Sequence, residues 1–344
     1  MFPIEFPLAH LGECVPGDWI LDPFCGRGTT LFAARLLGLN GFGVDANPVA
    51  VAISKAKLVG PTPQAIGTLA ERIIRDSEPD PRPPGEFWKW AYHPETLRDI
   101  LRLRVGLRAR DGRIASALRG VVLGALHGPI PKHKHSYFSN QMQRSFAPKP
   151  DYAVRFWRER GLHPPKVDVI AVIRERAVRY FSEALPSASS GLRIGDARRL
   201  RSRRVKVRKT ITSPPYFGMD TYVSDQWLRN WFVGGDPIPI YVNPGQISSG
   251  SPLNFACALG KVWQGIARIT EGGGELVVRL GALRAEAQAR AEALGRVVEE
   301  LRGEGVTSAN GLAKALNQRQ IATPRGGRWT ARSVLNVLQR LTAV

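Results

Sequence analysis

The stretch from Asp18 to Asp45 constrains the fold of this chain more than any other. Asp18-Trp19-Ile20-Leu21-Asp22 is a short apolar run with the length of a buried strand. Turn residues follow through Gly28, then residues 29–37 carry apolar side chains at helical spacing until Gly38 stops them. Gly41-Phe42-Gly43-Val44-Asp45 is a second apolar run, and Pro48 opens another helix at a position where its missing N–H costs nothing. Strands separated by helices call for a parallel, doubly wound α/β sheet. The pattern returns after residue 190. Leu192-Arg193-Ile194-Gly195-Asp196 resembles a strand end. Residues 205–212 read as a strand closed by Ser213-Pro214-Pro215-Tyr216. Residues 253–269 read as a helix, Glu271-Gly272-Gly273-Gly274 as a turn and 275–280 as a strand. The expected α/β domain, 1–60 and 190–281, is therefore split by an insert at 61–189.

Within the insert, 61–84 is proline-rich and reads as a connection, while 88–126 and 152–185 read as helical. Between them lies an irregular, basic and aromatic stretch containing Lys132, His133, Lys134, His135, Tyr137, Phe138, Arg144, Phe146 and Lys149. Such a mixture suits phosphate contacts and base stacking, with Lys132, Lys134 and Arg144 as candidates. His127, His133 and His135 have no nearby cysteine or suitably spaced carboxylate, so they read as solvated or phosphate-facing and not as metal ligands. Trp227 and Trp231, four residues apart, read as core on a helix.

Charge points to the partner. Lys and Arg number 49 against 29 Asp and Glu, a net charge of +20 over 344 residues, as expected of a chain that meets a polyanion. The 43% hydrophobic content supports a packed core. No run approaches a membrane span, and residues 1–10 lack the features of a secretory signal. The widely spaced Cys14, Cys25 and Cys257 fit a reducing cytoplasm.

Two motifs carry chemistry. In Asp22-Pro23-Phe24-Cys25-Gly26-Arg27-Gly28-Thr29-Thr30, the glycines allow close backbone approach at the strand ends where open α/β sheets bind ligands. The turn has neither the Lys-Ser/Thr ending of a phosphate loop nor the G-x-G-x-x-G spacing. Asp45, closing the next strand, is placed to accept both hydroxyls of a ribose. The second motif, Thr212-Ser213-Pro214-Pro215-Tyr216, uses two prolines to fix a backbone that presents a hydroxyl, a carbonyl and an aromatic ring. Each alone is compatible with a plain structural turn.

Together these motifs resemble the amino-methylating DNA methyltransferases that use S-adenosylmethionine. The resemblance covers about 1–60 and 190–281 and implies a Rossmann-like doubly wound methyltransferase sheet with a helical insert and a small helical C-terminal unit. It implies cofactor contacts at Phe6 of the Phe2-Pro3 and Phe6-Pro7 pairs, at Asp22, Pro23, Phe24, Cys25, Gly26, Gly28, Thr29 and Thr30, at Asp45 and Ala46, and at Asp196 against adenine. It implies catalytic roles for Ser213, Pro214, Pro215 and Tyr216, the serine being typical of cytosine-N4 enzymes; adenine-N6 methylation and a non-catalytic DNA binder are the alternatives. No cysteine follows a proline, which disfavours cytosine-C5 chemistry. The implied partners are double-stranded DNA and a cognate restriction endonuclease, in a prokaryotic cytoplasm, and the insert is read as target recognition.

The expected final pair of strands is not found after residue 280. Instead 282–344 resembles part of the DNA-binding region of serine recombinases, carried by Gly311-Leu312-Ala313-Lys314-Ala315-Leu316-Asn317 and Thr323-Pro324-Arg325-Gly326-Gly327-Arg328-Trp329-Thr330. Residues 282–301 read as a long helix, and 308–317 and 330–341 as two short ones around a basic tip, with Arg325 and Arg328 as DNA contacts.

Overall fold

A computed structural model describes residues 2–128, 136–139, 150–201, 205–216, 226–239, 247, 251–280, 285–321, 323, 328–331 and 333–335, without the side chains of 285–292. The chain divides into two compact units, Met1–Leu280 and Gly281–Val344.

The first unit is built on a wholly parallel sheet of β1 (Trp19–Asp22), β2 (Asn40–Asp45), β3 (Ser190–Ile194), β4 (Val207–Thr212) and β5 (Thr270–Val278), in the order β3-β2-β1-β4-β5. The order in which the strands succeed one another reverses at β1, so β1 and β4 flank the crevice in which a doubly wound sheet binds ligands. This is the α/β architecture expected of a Rossmann-like methyltransferase. Among the described residues the sheet ends at β5. Helix α1 (Glu5–His10) precedes β1, α2 (Thr29–Leu36) joins β1 to β2, and α3 (Pro48–Lys57) follows β2 with the Asn47 side chain as its N-cap. Gly28 adopts φ +74° before α2, where a Cβ would meet Ser54 Oγ at 2.7 Å, so the position demands glycine twice over.

Two expectations are corrected. Residues 61–84 contain a helix, α4 (Pro63–Asp76), and are not merely a connection. Pro63 sits in its first turn, Thr62 Oγ1 accepts from Ala65 N at 3.2 Å, and Ile66, Ala70 and Ile73 form a buried face. Proline marked the start of a helix here, not a linker. The Gly272-Gly273-Gly274 run lies inside β5: Val207 pairs with Thr270 and Lys209 with Glu275, and Gly273 at φ +76° absorbs the surplus.

The insert is helical: α5 (Phe87–Ala91), α6 (Pro94–Arg108), α7 (Arg113–Ala125), α8 (Pro150–Glu159) and α9 (Val169–Phe181). The segment 152–185, read as helical, holds two helices. These elements share one apolar core with α3 and with α10 (Trp227–Phe232), in which Trp88, Trp157 and Trp231 are fully buried. Trp88 lies 4.3 Å from Trp231 and 5.8 Å from Trp227, centroid to centroid. Trp227 and Trp231 are core residues on a helix, as their spacing predicts. His127, expected to be solvated, is buried; burial and the nearby Arg229 push its imidazole down to about 3, so it is neutral. His133 and His135 lie outside the described residues. On the other side of the sheet, α11 (Pro252–Ile269) packs Val262, Ile266 and Ile269 against Leu21, Val44 and Val207.

The second unit contains α12 (Ala285–Gly303) and α13 (Ala309–Gln318) around Val298, Leu301, Leu312, Leu316, Trp329 and Val334. Trp329 donates Nε1 to Ile321 O at 2.7 Å, and its backbone exchanges two hydrogen bonds with the Asn317 side chain. Among the described residues no helix is long and apolar enough to cross a membrane.

Trp88→Ala removes the centre of the aromatic core and should cost about 3–5 kcal/mol of unfolding free energy, read as a lower midpoint in urea titration. An unchanged midpoint would mean that the insert does not share a cooperative core with α10.

Candidate active site

Because all five strands are parallel, their carboxyl ends lie along one edge of the sheet, and both motifs with Asp45 and Asp196 lie there. Two carboxylates organise that edge. Asp45 Oδ2 accepts from Gly26 N at 2.8 Å and Oδ1 from Asn47 N at 2.8 Å. The glycine turn is therefore clipped to the end of β2, and Ser54 Oγ holds its other side by donating to Gly26 O at 2.9 Å. Burial pushes the Asp45 carboxyl up despite these two bonds, yet the residue is not fully buried and both oxygens keep acceptor capacity for another donor.

Asp22 is 2% exposed. Thr212 Oγ1 donates to its Oδ1 at 2.6 Å and Phe24 N donates to the same oxygen at 3.1 Å. Thr30 Oγ1 donates to Ile211 O at 3.1 Å. Thr212 ends β4 and immediately precedes Ser213, so these bonds lock the first motif to the second. Burial raises the Asp22 carboxyl to about 7, against the hydrogen bonds from Thr212 and Phe24. Cys25 is buried and its thiol is pushed well up, so it stays protonated.

Ser213 is half-buried, Pro214 buried and Pro215 half-buried, while Tyr216 is 39% exposed. Ser213 Oγ and Tyr216 Oη are 3.5 Å apart, so hydroxyl and ring face a common space. Phe6 lies on the same edge: it packs near Val277, and the Arg279 guanidinium sits 4.8 Å from its ring centre. Arg279 N donates to Thr212 O at 2.8 Å, bringing that ring beside the second motif. Phe24 packs edge-on against Trp263 at 6.4 Å. Pro23 is buried, and Thr29 and Ala46 are half-buried at the same edge.

Asp196 is already engaged. Its Oδ1 accepts from Arg198 N and Nε, each at 2.9 Å, and Oδ2 lies 2.7 Å from Arg198 Nη2. Burial, which alone would raise this carboxyl, is outweighed by the Arg198 bonds, and it is held below its ordinary value. Sequence reasoning missed Arg198, the Thr212 bond and the tether of Ser54. A threonine ending a strand opposite a motif carboxylate was the only available signal.

Of the expected nucleic-acid contacts, Arg328 is exposed and lines a shallow cleft of the second unit with Asn310, Lys314 and Asn317. Lys132, Lys134, Arg144 and Arg325 lie outside the described residues.

The strand ends of this doubly wound α/β sheet thus carry a glycine turn, two acids and a proline-fixed serine motif. Residues 2–56 match the family described as DNA methylase, and 284–343 match the recombinase-like helix-turn-helix domain. Over 33 residues the chain is 54% identical to the type II methyltransferase M.BsoBI of Geobacillus stearothermophilus, covering 10% of this chain and 6% of that protein's length. Two solved structures of the rRNA methyltransferase aviRa from Streptomyces viridochromogenes align with TM-scores of 0.30 and 0.23 at 12% and 14% identity, over 83% and 62% of this chain and 78% and 59% of theirs.

Asp22 yields a pH test. Native Asp22 holds its proton more tightly than an unfolded aspartate, so its contribution to stability is greatest below its ordinary value of 3.8 and falls as pH rises to about 7. The unfolding free energy of wild type minus that of Asp22→Asn should decline across this window and level off above it. A flat difference would place Asp22 in water.

Proposed function

We propose that the strand-end edge binds S-adenosylmethionine and that the chain transfers a methyl group to the exocyclic amine of a base in DNA, cytosine N4 in the first instance. The observation that carries this reading is the Thr212–Asp22 bond of 2.6 Å, which joins the glycine turn to the serine motif.

The residues present fit the cofactor. At Gly26, φ +50°, an added Cβ would meet nothing nearer than Phe24 O at 3.9 Å, so that turn is open to a ligand, and Asp45 offers unused lone pairs to two ribose hydroxyls. Phe6 and the Gly26 turn would flank the methionine end. Asp196 would meet adenine with Arg198 displaced or turned aside. When bound, S-adenosylmethionine supplies an electrophilic methyl group. The chain's own part is to prepare the amine, whose lone pair is delocalised into the base. The Ser213 hydroxyl and the Pro214 carbonyl accept its N–H groups and turn the lone pair out of conjugation, while Tyr216 stacks on the base. The base must leave the duplex to reach them, at a few kcal/mol of unstacking. Cys25, buried and protonated, offers no thiolate for a covalent route.

Serine at position 213 favours cytosine; adenine N6 is the second reading, since the same acceptors serve either amine. Mass spectrometry of nucleosides from DNA treated with enzyme and cofactor should reveal N4-methylcytosine. N6-methyladenine would reverse the base assignment, and no methylated base would leave a DNA-binding protein. Ser213→Ala should largely abolish transfer with cofactor affinity retained. Asp45→Ala should weaken cofactor binding by roughly 1.5–3 kcal/mol in calorimetry.

The second unit, with exposed Arg328 beside Lys314, is read as adding phosphate contacts. Deleting residues 281–344 should weaken DNA binding at every sequence. The slope of log affinity against log salt should fall by about 0.9 for each phosphate that the shortened chain no longer neutralises. An unchanged slope would remove the unit from the interface.

A further inference from the structure

Asn47 occupies a junction that the proposed reaction does not use. Its backbone N–H donates to Asp45 Oδ1 at 2.8 Å. Its side-chain oxygen accepts from Val49 N at 2.9 Å, capping α3. That bond fixes the orientation of the amide and leaves Nδ2 to face Gln226, where it donates to Oε1 at 3.3 Å.

Gln226 is 7% exposed and immediately precedes α10. Its side chain makes no cap for that helix. Helix α10 is in turn fastened to the insert. Trp227 packs 5.0 Å from Phe87 and Trp231 packs on Trp88. Arg229 Nε donates to Leu123 O, and Arg104 Nε donates to Trp231 O, each at 3.0 Å. A continuous set of contacts therefore runs from the Asp45 carboxylate through Asn47 and Gln226 to helices α5, α6 and α7. In sequence, α10 follows the catalytic motif by ten residues, Tyr216 to Gln226, so its seating sets one end of the segment leaving that motif.

We infer that Asn47 and Gln226 are positioning residues that tie occupancy of the Asp45 site to the seating of α10 on the insert, so that cofactor and DNA bind cooperatively. This rests on the reading of Asp45 as the ribose acid. A donor arriving at Asp45 shares the acceptors that hold Gly26 N and Asn47 N, and among the described residues the Asn47 amide N–H is bonded to the buried Gln226. Breaking that bond removes the direct polar link between the Asp45 turn and the residue that opens α10, which uncouples the two sides. Coupling is reciprocal, so it can be read from either ligand.

The test uses the full chain, a fluorescent mixed-sequence DNA duplex and S-adenosylhomocysteine. Saturating S-adenosylhomocysteine should tighten duplex binding by wild type about tenfold, within the usual range for coupled sites. Gln226→Met, which keeps side-chain volume but loses the acceptor, should bring that factor close to unity, while affinity for S-adenosylhomocysteine alone and the thermal melt stay near wild type. Gln226→Glu keeps the acceptor and should restore coupling. Asn47→Ser still caps α3 but is too short to reach Gln226, and should uncouple as Gln226→Met does. Full coupling in both Gln226→Met and Asn47→Ser, or none in wild type, overturns the link while leaving the cofactor site standing. Failure of wild type itself to bind S-adenosylhomocysteine defeats the cofactor reading and the link with it.

Discussion

Everything at the strand-end edge depends on two aspartates used as fasteners. Asp45 takes the N–H groups of Gly26 and Asn47, and Asp22 takes the hydroxyl of Thr212 and the N–H of Phe24. A carboxylate that accepts backbone N–H groups at the mouth of a sheet holds loop geometry that no apolar packing could specify. The same two groups face opposite electrostatic conditions. Asp45, though shifted up by burial, is only partly buried and retains acceptor capacity, whereas Asp22 is sealed in and drawn towards its neutral form. One is available to a ligand; the other sets the distance between the motifs.

The insert stands in a different relation to this edge than its composition suggests. It is basic on its surface, with Arg155, Arg158 and Arg160 exposed, but its interior is an aromatic core shared with α3 and α10. Helix α3 begins beside Asp45 and α10 follows the serine motif. A segment read as a recognition module therefore also buttresses both halves of the site. Glu86, Lys89 and Arg158 form exposed ion pairs over this core, which contribute little beside the burial beneath them.

The α/β frame was legible because its signals are local. Ile20-Leu21, the Gly38 stop after α2 and the Val44-Asp45 strand end each announce themselves within a few residues, and parallel connection follows from helices between strands. What escaped was decided at long range or by ambiguous punctuation. Pro61 and Pro63 look like a linker until Thr62 is seen capping a helix, and the glycines 272–274 look like a turn until a bulge against β4 absorbs them. His127 looked solvated among basic neighbours, yet the packing of α7 buries it. At the site, the positions of Asp22, Asp45 and Ser213–Tyr216 were readable from motif and strand end. The engagement of Asp196 by Arg198 and the meeting of Asn47 with Gln226, 179 residues apart, were not, since neither pairing leaves a periodic or compositional trace.

The claim that unites these observations is that the carboxyl edge of β1, β2 and β4 is a cofactor site. Its most direct test is a crystal structure of the full chain grown with S-adenosylhomocysteine. The account predicts the ribose hydroxyls on the Asp45 carboxylate, the homocysteine portion beside Gly26–Gly28 and Phe6, and its sulfur facing Ser213. Density for the ligand at another place on the sheet, or at this edge with Asp45 uninvolved, would contradict it.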